Sequence, residues 1–414
     1  MFAIIRAADY FLSYIRRKSS SLAPATRASL INALCKAVKA LSAFLESSGN
    51  APSNSETEAE SSQEAASTQV VPQAFRDAFA CHLYMLFSVM FFMESEAKVA
   101  SSQRGENKVD NETIAARATC ADAMLIAAQS MGKHRSTLWQ RGVPDESVVG
   151  LPCRISYQML ESATGVVARK AASADAALGM IAATVDSADK LLGTVVAALM
   201  DLLHSYEHIA PLVAELCTMV SEEPRNRLAV ELLREIGRLD AQNASGGDTG
   251  GKASGIKNLA PFISELATSR PRIVLSNISL LLPHLNSEPY GLRSSIVNAI
   301  GQILVHIGKE GSERHDDDDE EEDHENSDES KAVVGKQSLQ KSRTALLDIL
   351  ADRVHDVSSF TRVAVLKAWI GITQSGSLPL ERLMLVTSLA IDRLQDKTVM
   401  VRRSAMQVSI NCMD

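Results

Sequence analysis

The chain carries HDVSSFTRVAVLKAW at residues 355–369 and QDKTVMVRRSAMQ at residues 395–407. In each, an aspartate is followed six residues later by an arginine that opens an apolar run: Asp356 with Arg362, then Asp396 with Arg402. The two arginines lie forty positions apart. Asn286 with Arg293 is an earlier version, 69 positions before Arg362. An acidic insertion of roughly thirty residues lies between them, and subtracting it restores a spacing near forty.

A period of about forty residues is the mark of paired helices stacked into a HEAT or armadillo-type α-solenoid. Composition agrees. Hydrophobic residues make up 46% of the 414 positions, and aromatics only 4%. No segment alternates apolar and polar residues with β-branched enrichment. The expected fold class is therefore all-α, without a sheet.

The rest of the array follows from apolar spacing. Val274, Ile278, Leu281, Leu282 and Leu285 fall on one helix face, with Pro283 set to kink or end its last turn. Leu292, Ile296, Ala299, Ile300, Ile303 and Ile307 form the next stripe. Further helices are predicted over residues 342–354, 362–374, 379–394 and 400–412. Leu380, Leu383, Thr387, Ile391 and Leu394 are read as the buried stripe of the third. In the last helix Met406, Val408 and Ile410 look unsuited to a polar capping unit, so the array is expected to be open at its C-terminal end.

Four polar stretches divide the chain: residues 46–67, 101–112, 243–255 (NASGGDTGGKASG) and 309–341. Their composition predicts mobile segments. The expected organisation is an N-terminal helical domain at 1–242, a flexible linker at 243–255 and HEAT repeats at 256–414. The net charge of −8 is uneven: eleven acidic residues crowd positions 316–329, and the remainder holds 42 basic against 39 acidic residues. Bulk charge therefore neither demands nor excludes nucleic acid. The six cysteines form no C-x-x-C pair and are read as buried free thiols. The apolar run at 78–93 has 16 residues, short of a membrane span, and is read as part of a core helix at 75–97.

The turn residues have a structural reading. Asp356 and Asp396 are placed to cap the helices that follow them. Arg293, Arg362 and Arg402 are placed to pair with such an aspartate in the same or the adjacent repeat, building a ladder. A second reading concerns contact with a partner. Arg362, Lys367, Arg393, Lys397, Arg402 and Arg403 form a basic cluster. Stacked repeats could set them along one edge, where they would meet phosphates without reading sequence.

Catalytic signals are weak. GGDTGGKA at 246–253 approaches a phosphate loop, but Ala253 stands where a magnesium-binding hydroxyl is needed. HSYEH at 204–208 matches an inverted zinc-protease pattern without a third ligand. No catalytic, cofactor or metal residue is assigned.

Residues 355–369, 377–407 (SLPLERLMLVTSLAIDRLQDKTVMVRRSAMQ) and 258–304 (NLAPFISELATSRPRIVLSNISLLLPHLNSEPYGLRSSIVNAIGQIL) resemble the HEAT-repeat region of condensin complex subunit 1. Residues 1–240 resemble that family's N-terminal domain more loosely, mainly at 75–97. The acidic insertion is a departure from the family pattern. The resemblance implies a non-catalytic scaffold that docks on a kleisin subunit and on the ATPase heads of an SMC pair. It would act on chromatin and double-stranded DNA in mitotic chromosome condensation, in the nucleus and on chromosomes, with a cytoplasmic pool. ATP hydrolysis would belong to the SMC partners. No membrane and no small-molecule substrate are implied. A HEAT adaptor in transport or trafficking, binding cargo or coat proteins, is the alternative.

Overall fold

A computed structural model describes residues 13, 24–49, 71–102, 111–139, 146–162, 172–187, 189–220, 227–239, 250–287, 289–316 and 329–413. Among these residues there is no strand. The chain divides into two compact units. One holds residues 1–202 and 219–228, and the other 203–218 and 229–414. The sequence placed this boundary near 242. In the structure, residues 203–218 and 229–239 are bonded into the second unit. Asn258 Nδ2 donates to the His204 carbonyl at 2.8 Å, and Arg270 Nη2 to the Thr218 carbonyl at 3.0 Å. The buried ring of His284 meets the Ile236 carbonyl at 3.0 Å.

The first unit contains α1 (Pro24–Gly49), α2 (Gln73–Ser102), α3 (Asn111–Lys133), α4 (Glu146–Ser162), α5 (Ala172–Ser187) and most of α6 (Asp189–Ser205). The core helix predicted at 75–97 is α2, extended at both ends. Phe79, Leu83, Leu86, Phe87, Met90 and Met93 form its buried side. By length and composition, 23-residue windows of α1 and α2 are long and apolar enough to cross a membrane, but half of the α2 window is buried in the fold. The alanine-rich faces of α3 and α5 pack closely: a Cβ on Gly132 would sit 3.4 Å from the Ala183 methyl.

The cysteines are free, as composition suggested. Cys35, Cys120, Cys153 and Cys217 are buried, and Cys81 and Cys412 half-buried. Burial raises the thiol of Cys153 to about 11 and that of Cys217 to about 12.

The second unit contains α7 (Ile209–Met219), α8 (Arg227–Gly237), α9 (Gly250–Ser269), α10 (Pro271–Leu281), α11 (Tyr290–Asp316), α12 (Glu329–Arg353), α13 (Ser359–Gln374), α14 (Leu380–Arg393) and α15 (Val399–Asn411). From α9 onward it is a two-layer array. Helices α9, α11, α13 and α15 lie side by side, and α10, α12 and α14 pack behind them.

Local chemistry sets the helix ends. Pro271 stands at the start of α10, where its missing N–H costs nothing. Pro283 ends that helix as expected, and residues Leu282–Asn286 tighten into a 3₁₀ turn. α13 ends in a Schellman motif. Gly376, at φ 65°, donates to the Thr373 carbonyl, and Ser377 to the Ile372 carbonyl, both at 3.0 Å.

Three expectations change. Residues 250–255, read as linker, open α9. The acidic insertion is shorter than 309–341, because α11 runs on to Asp316 and α12 begins at Glu329. Its flanks are rich in Lys, Glu, Gln and Ser, which tolerate a helix well apart from a few glycines. The stripe assigned to α14 is not its buried face. Val386 and Ala390 are buried, while Leu380 is 83% exposed and Ile391 48%. The periodicity was helical on both faces, and only packing decides between them. The segments 50–70, 103–110, 240–249 and 317–328, where most of the expected mobility fell, lie outside the described residues.

Gly301 and Gly308 of α11 permit the closest approach to the next repeat. A Cβ on Gly308 would lie 2.0 Å from Ser377 Oγ and 2.8 Å from its Cα. Gly308→Ala is expected to destabilise the chain by about 1–3 kcal/mol, the cost typical of overpacking. Gly193→Ala, facing open space in α6, is expected to be neutral or stabilising by up to about 1 kcal/mol. Denaturant unfolding of the two variants measures the contrast.

Candidate functional site

The recurring geometry of the array lies in its inter-helix turns. In the turn before α13, Asp356 Oδ1 accepts the Ser358 N–H at 2.8 Å. In the turn before α15, Asp396 Oδ1 accepts the Thr398 N–H at 2.9 Å. Ser358 and Thr398 are the N-cap residues, yet neither side chain makes a cap bond. The aspartate two residues earlier holds each turn instead, in the manner of an Asx turn.

The same carboxylates join neighbouring repeats. Arg293 grips Asp356 through Nε and Nη2, both at 3.1 Å. Arg362 grips Asp396 through the same two nitrogens at 2.8 and 3.0 Å. The third nitrogen stays at home. Arg362 Nη1 donates to the Asp356 and Val357 carbonyls at 2.8 and 3.1 Å, and Arg293 Nη1 to the Ser287 carbonyl. Each arginine thus closes its own turn and holds the next one. The pairs are well shielded: side-chain exposure is 12% and 3% in the first, 14% and 4% in the second.

Two features of this edge were not read from the sequence. Arg353 Nη1 and Nη2 reach back to the Leu285 carbonyl and Asn286 Oδ1, each at 3.0 Å. Arg393 lies 3.9 Å from Asp396. Arg353 and Arg393 are themselves forty residues apart, so the period contained the signal.

The six basic candidates do not share one setting. Arg362 has spent its donors on protein groups. Arg393, Lys397, Arg402 and Arg403 belong to the last inter-helix turn and the start of α15. Arg402 Nη1 donates to the Asp396 and Lys397 carbonyls at 2.8 and 3.0 Å. Lys367 is deeper along α13 and borders a cavity of about 250 Å³ with Asn298, Gln302, Ser264 and Thr268. The side chains of Lys367, Lys397 and Arg403 are exposed and make no ion pair or hydrogen bond with other described residues.

The catalytic patterns lose their geometry. His204 is in the last turn of α6, Tyr206 leaves the helix, and Glu207 and His208 form the turn before α7. The two histidines are therefore not four apart on one helix. No cluster of three metal-ligating side chains occurs among the described residues. Residues 246–249 of the glycine-rich stretch lie outside the described residues, and 250–253 begin α9.

The chain is similar to condensin complex subunit 1 of Mus musculus, at 29% identity over 272 residues, or 66% of this chain and 18% of the relative. It is similar to the condensin-1 complex subunit CAP-D2 of Arabidopsis thaliana at 26% over 341 residues, or 80% and 22%. Condensin complex subunit 1 of Saccharomyces cerevisiae matches at 24% over 213 residues, or 51% and 16%. The resemblance read in the sequence is thus present across most of the chain. The chain spans about a fifth of the length of these relatives. No family model matches it.

The Arg362 guanidinium, bonded to the Asp396 carboxylate and aided by the Thr398 N–H, holds that carboxyl below its ordinary 3.8 against the opposing effect of burial. A lowered folded value means that the stability is complete above the unfolded pKa. It is lost as pH falls below 3.8 through the folded value. Asp396→Asn is expected to cost about 3 kcal/mol at neutral pH, since it leaves Arg362 unpaired, and to flatten this acid dependence. Unfolding midpoints at neutral and acid pH, with an Arg362→Ala/Asp396→Ala double-mutant cycle, measure both effects. A coupling energy of about 2 kcal/mol is expected from the cycle.

Proposed function

We propose that this chain is part of a non-catalytic scaffold and regulatory subunit of a condensin complex, acting in mitotic chromosome condensation. The observation that carries this reading is its similarity to condensin subunits from animals, a plant and yeast, spread over half to four fifths of the chain. The fold is compatible with it. A stacked helical array offers long surfaces for partners, and such folds work by holding them. The partners would be a kleisin segment and the ATPase heads of an SMC pair, with ATP hydrolysis left to the SMC proteins. The protein would reside in the nucleus and on chromosomes, with a cytoplasmic pool.

Double-stranded DNA would be met without sequence readout, through the exposed cations Lys397 and Arg403, with Arg393 beside them and Lys367 on α13. Arg362 is unsuited to that contact because it is committed to Asp396.

Affinity capture from dividing cells tests the assembly. Recovery of kleisin and SMC proteins supports it, and recovery of coat or cargo factors in their place rejects it in favour of a transport adaptor. For DNA, affinity is expected to fall steeply with salt. A Lys397→Ala/Arg403→Ala variant is expected to lose affinity equally on unrelated duplexes and to reduce the log–log salt slope by about 2. Titration by fluorescence anisotropy at several salt concentrations checks this, and unchanged affinity and slope would remove these residues from the DNA path.

A further inference from the structure

Tyr290 is the first residue of α11 and Phe360 the second of α13. Their rings stack across the two repeats, with centroids 4.9 Å apart and planes 20° from parallel. Both stay open to solvent, Tyr290 at 49% and Phe360 at 54%. Val357, in the turn just before Phe360, is 95% exposed. Neither ring sits at an end of the array: α13 has α11 on one side and α15 on the other, and α11 has α9 and α13.

Around the rings, the turns bare a cation and hide their carboxylates. Asp356 and Asp396 are shielded side chains bonded to Arg293 and Arg362. Lys397 is exposed, and it holds the place in its turn that Val357 holds one repeat earlier, five residues before the ladder arginine. Neighbouring helices pack about 10 Å apart, so Lys397 is one rung from the ring of Phe360. The exposed carboxylates of Asp352 and Asp392 belong to the last turns of α12 and α14, and Asp352 meets Arg353 at 3.5 Å.

We propose that this edge binds single-stranded nucleic acid without sequence readout. An unpaired base stacks on the Tyr290–Phe360 pair, and a neighbouring phosphate meets Lys397. A flat aromatic plate recognises the π-face that every base shares, and a cation beside it recognises the backbone. A duplex keeps its base faces inside its own stack and would leave the rings idle. A protein partner fits less well. Two rings and one valine, flanked in sequence by the polar His355, Ser358 and Ser359, fall far short of the roughly 1,200 Å² or more that a stable protein interface buries. Deoxyribose and ribose strands share the chemistry recognised here. The binding rests on the nucleic-acid contact proposed above and extends it from duplex to unpaired strands, through rings that duplex contact does not use.

Fluorescence anisotropy of the 414-residue chain at low salt tests this, with labelled oligo(dT), oligo(U) and a duplex of equal length. Tyr290→Ala and Phe360→Ala are each expected to weaken oligo(dT) binding about tenfold and to leave duplex affinity within about twofold. Phe360→Trp keeps the plate and is expected to keep the affinity. Phe360→Leu keeps apolar bulk without the plate, which separates stacking from folding, and is expected to bind oligo(dT) as weakly as Phe360→Ala. Lys397→Ala is expected to reduce the single-strand log–log salt slope by about 0.7. Ultraviolet cross-linking of oligo(dT), read by mass spectrometry, is expected to place the adduct on Tyr290 or Phe360. Tighter binding of oligo(U) would assign the edge to RNA and tighter binding of oligo(dT) to DNA, either one supporting the proposal. Binding of neither strand would overturn it and leave the rings to a protein partner. So would oligo(dT) affinity unchanged in the alanine and leucine variants, or a Phe360→Leu variant that loses strand and duplex alike. Duplex binding that fails while strand binding keeps its dependence on the rings would reject the duplex contact and uphold the single-strand site.

Discussion

Asp356 and Asp396 each serve two neighbours at once, and the array depends on that sharing. One carboxylate oxygen of each accepts a backbone N–H of its own turn, while both oxygens take the guanidinium of the preceding repeat. Turn conformation and stacking register are therefore a single constraint. The pairs are nearly excluded from water, so neither partner is removed cheaply. The fork of an arginine is required here. Three of its nitrogens are used, two toward the next repeat and one toward its own turn, and lysine cannot reproduce that planar arrangement.

This constraint sorts the basic residues of the last repeats. Arg362 is consumed by stacking on Asp396 and Arg402 closes its own turn, while Lys397 and Arg403 stay exposed. A charge cluster read from sequence as one surface is, in the structure, an internal ladder with a few free cations next to it. Apolar packing then reinforces the register. Gly301 and Gly308 let α11 approach the following repeat to distances that a methyl group would block.

Much of the array was legible because its signals repeat. The forty-residue offset between Arg362 and Arg402, the prolines at 271 and 283, and the stripe from Leu292 to Ile307 each have one local physical meaning. The direction of the arginine was not legible. Spacing allows Arg362 to bond Asp356 in its own turn or Asp396 in the next, and the structure shows it using the carbonyl of the first and the carboxylate of the second. The buried face of α14 was misread because Leu380 and Ile391 are as apolar as a core stripe demands. The helical flanks of the acidic tract were missed because a polar composition with little apolar area to bury was read as unable to order, whereas each flank extends a helix already packed in the array. The contribution of His284 and Asn258 to the unit boundary came from contacts across about fifty residues, which no local pattern records.

The central claim is that the repeats from α11 onward stack as one body keyed by the shared aspartates. Native-state hydrogen exchange of an Asp396→Asn variant tests it most directly. The claim predicts that protection falls in both α13 and α15, since the lost carboxylate served both. Loss of protection confined to α15, with α13 unchanged, would contradict it.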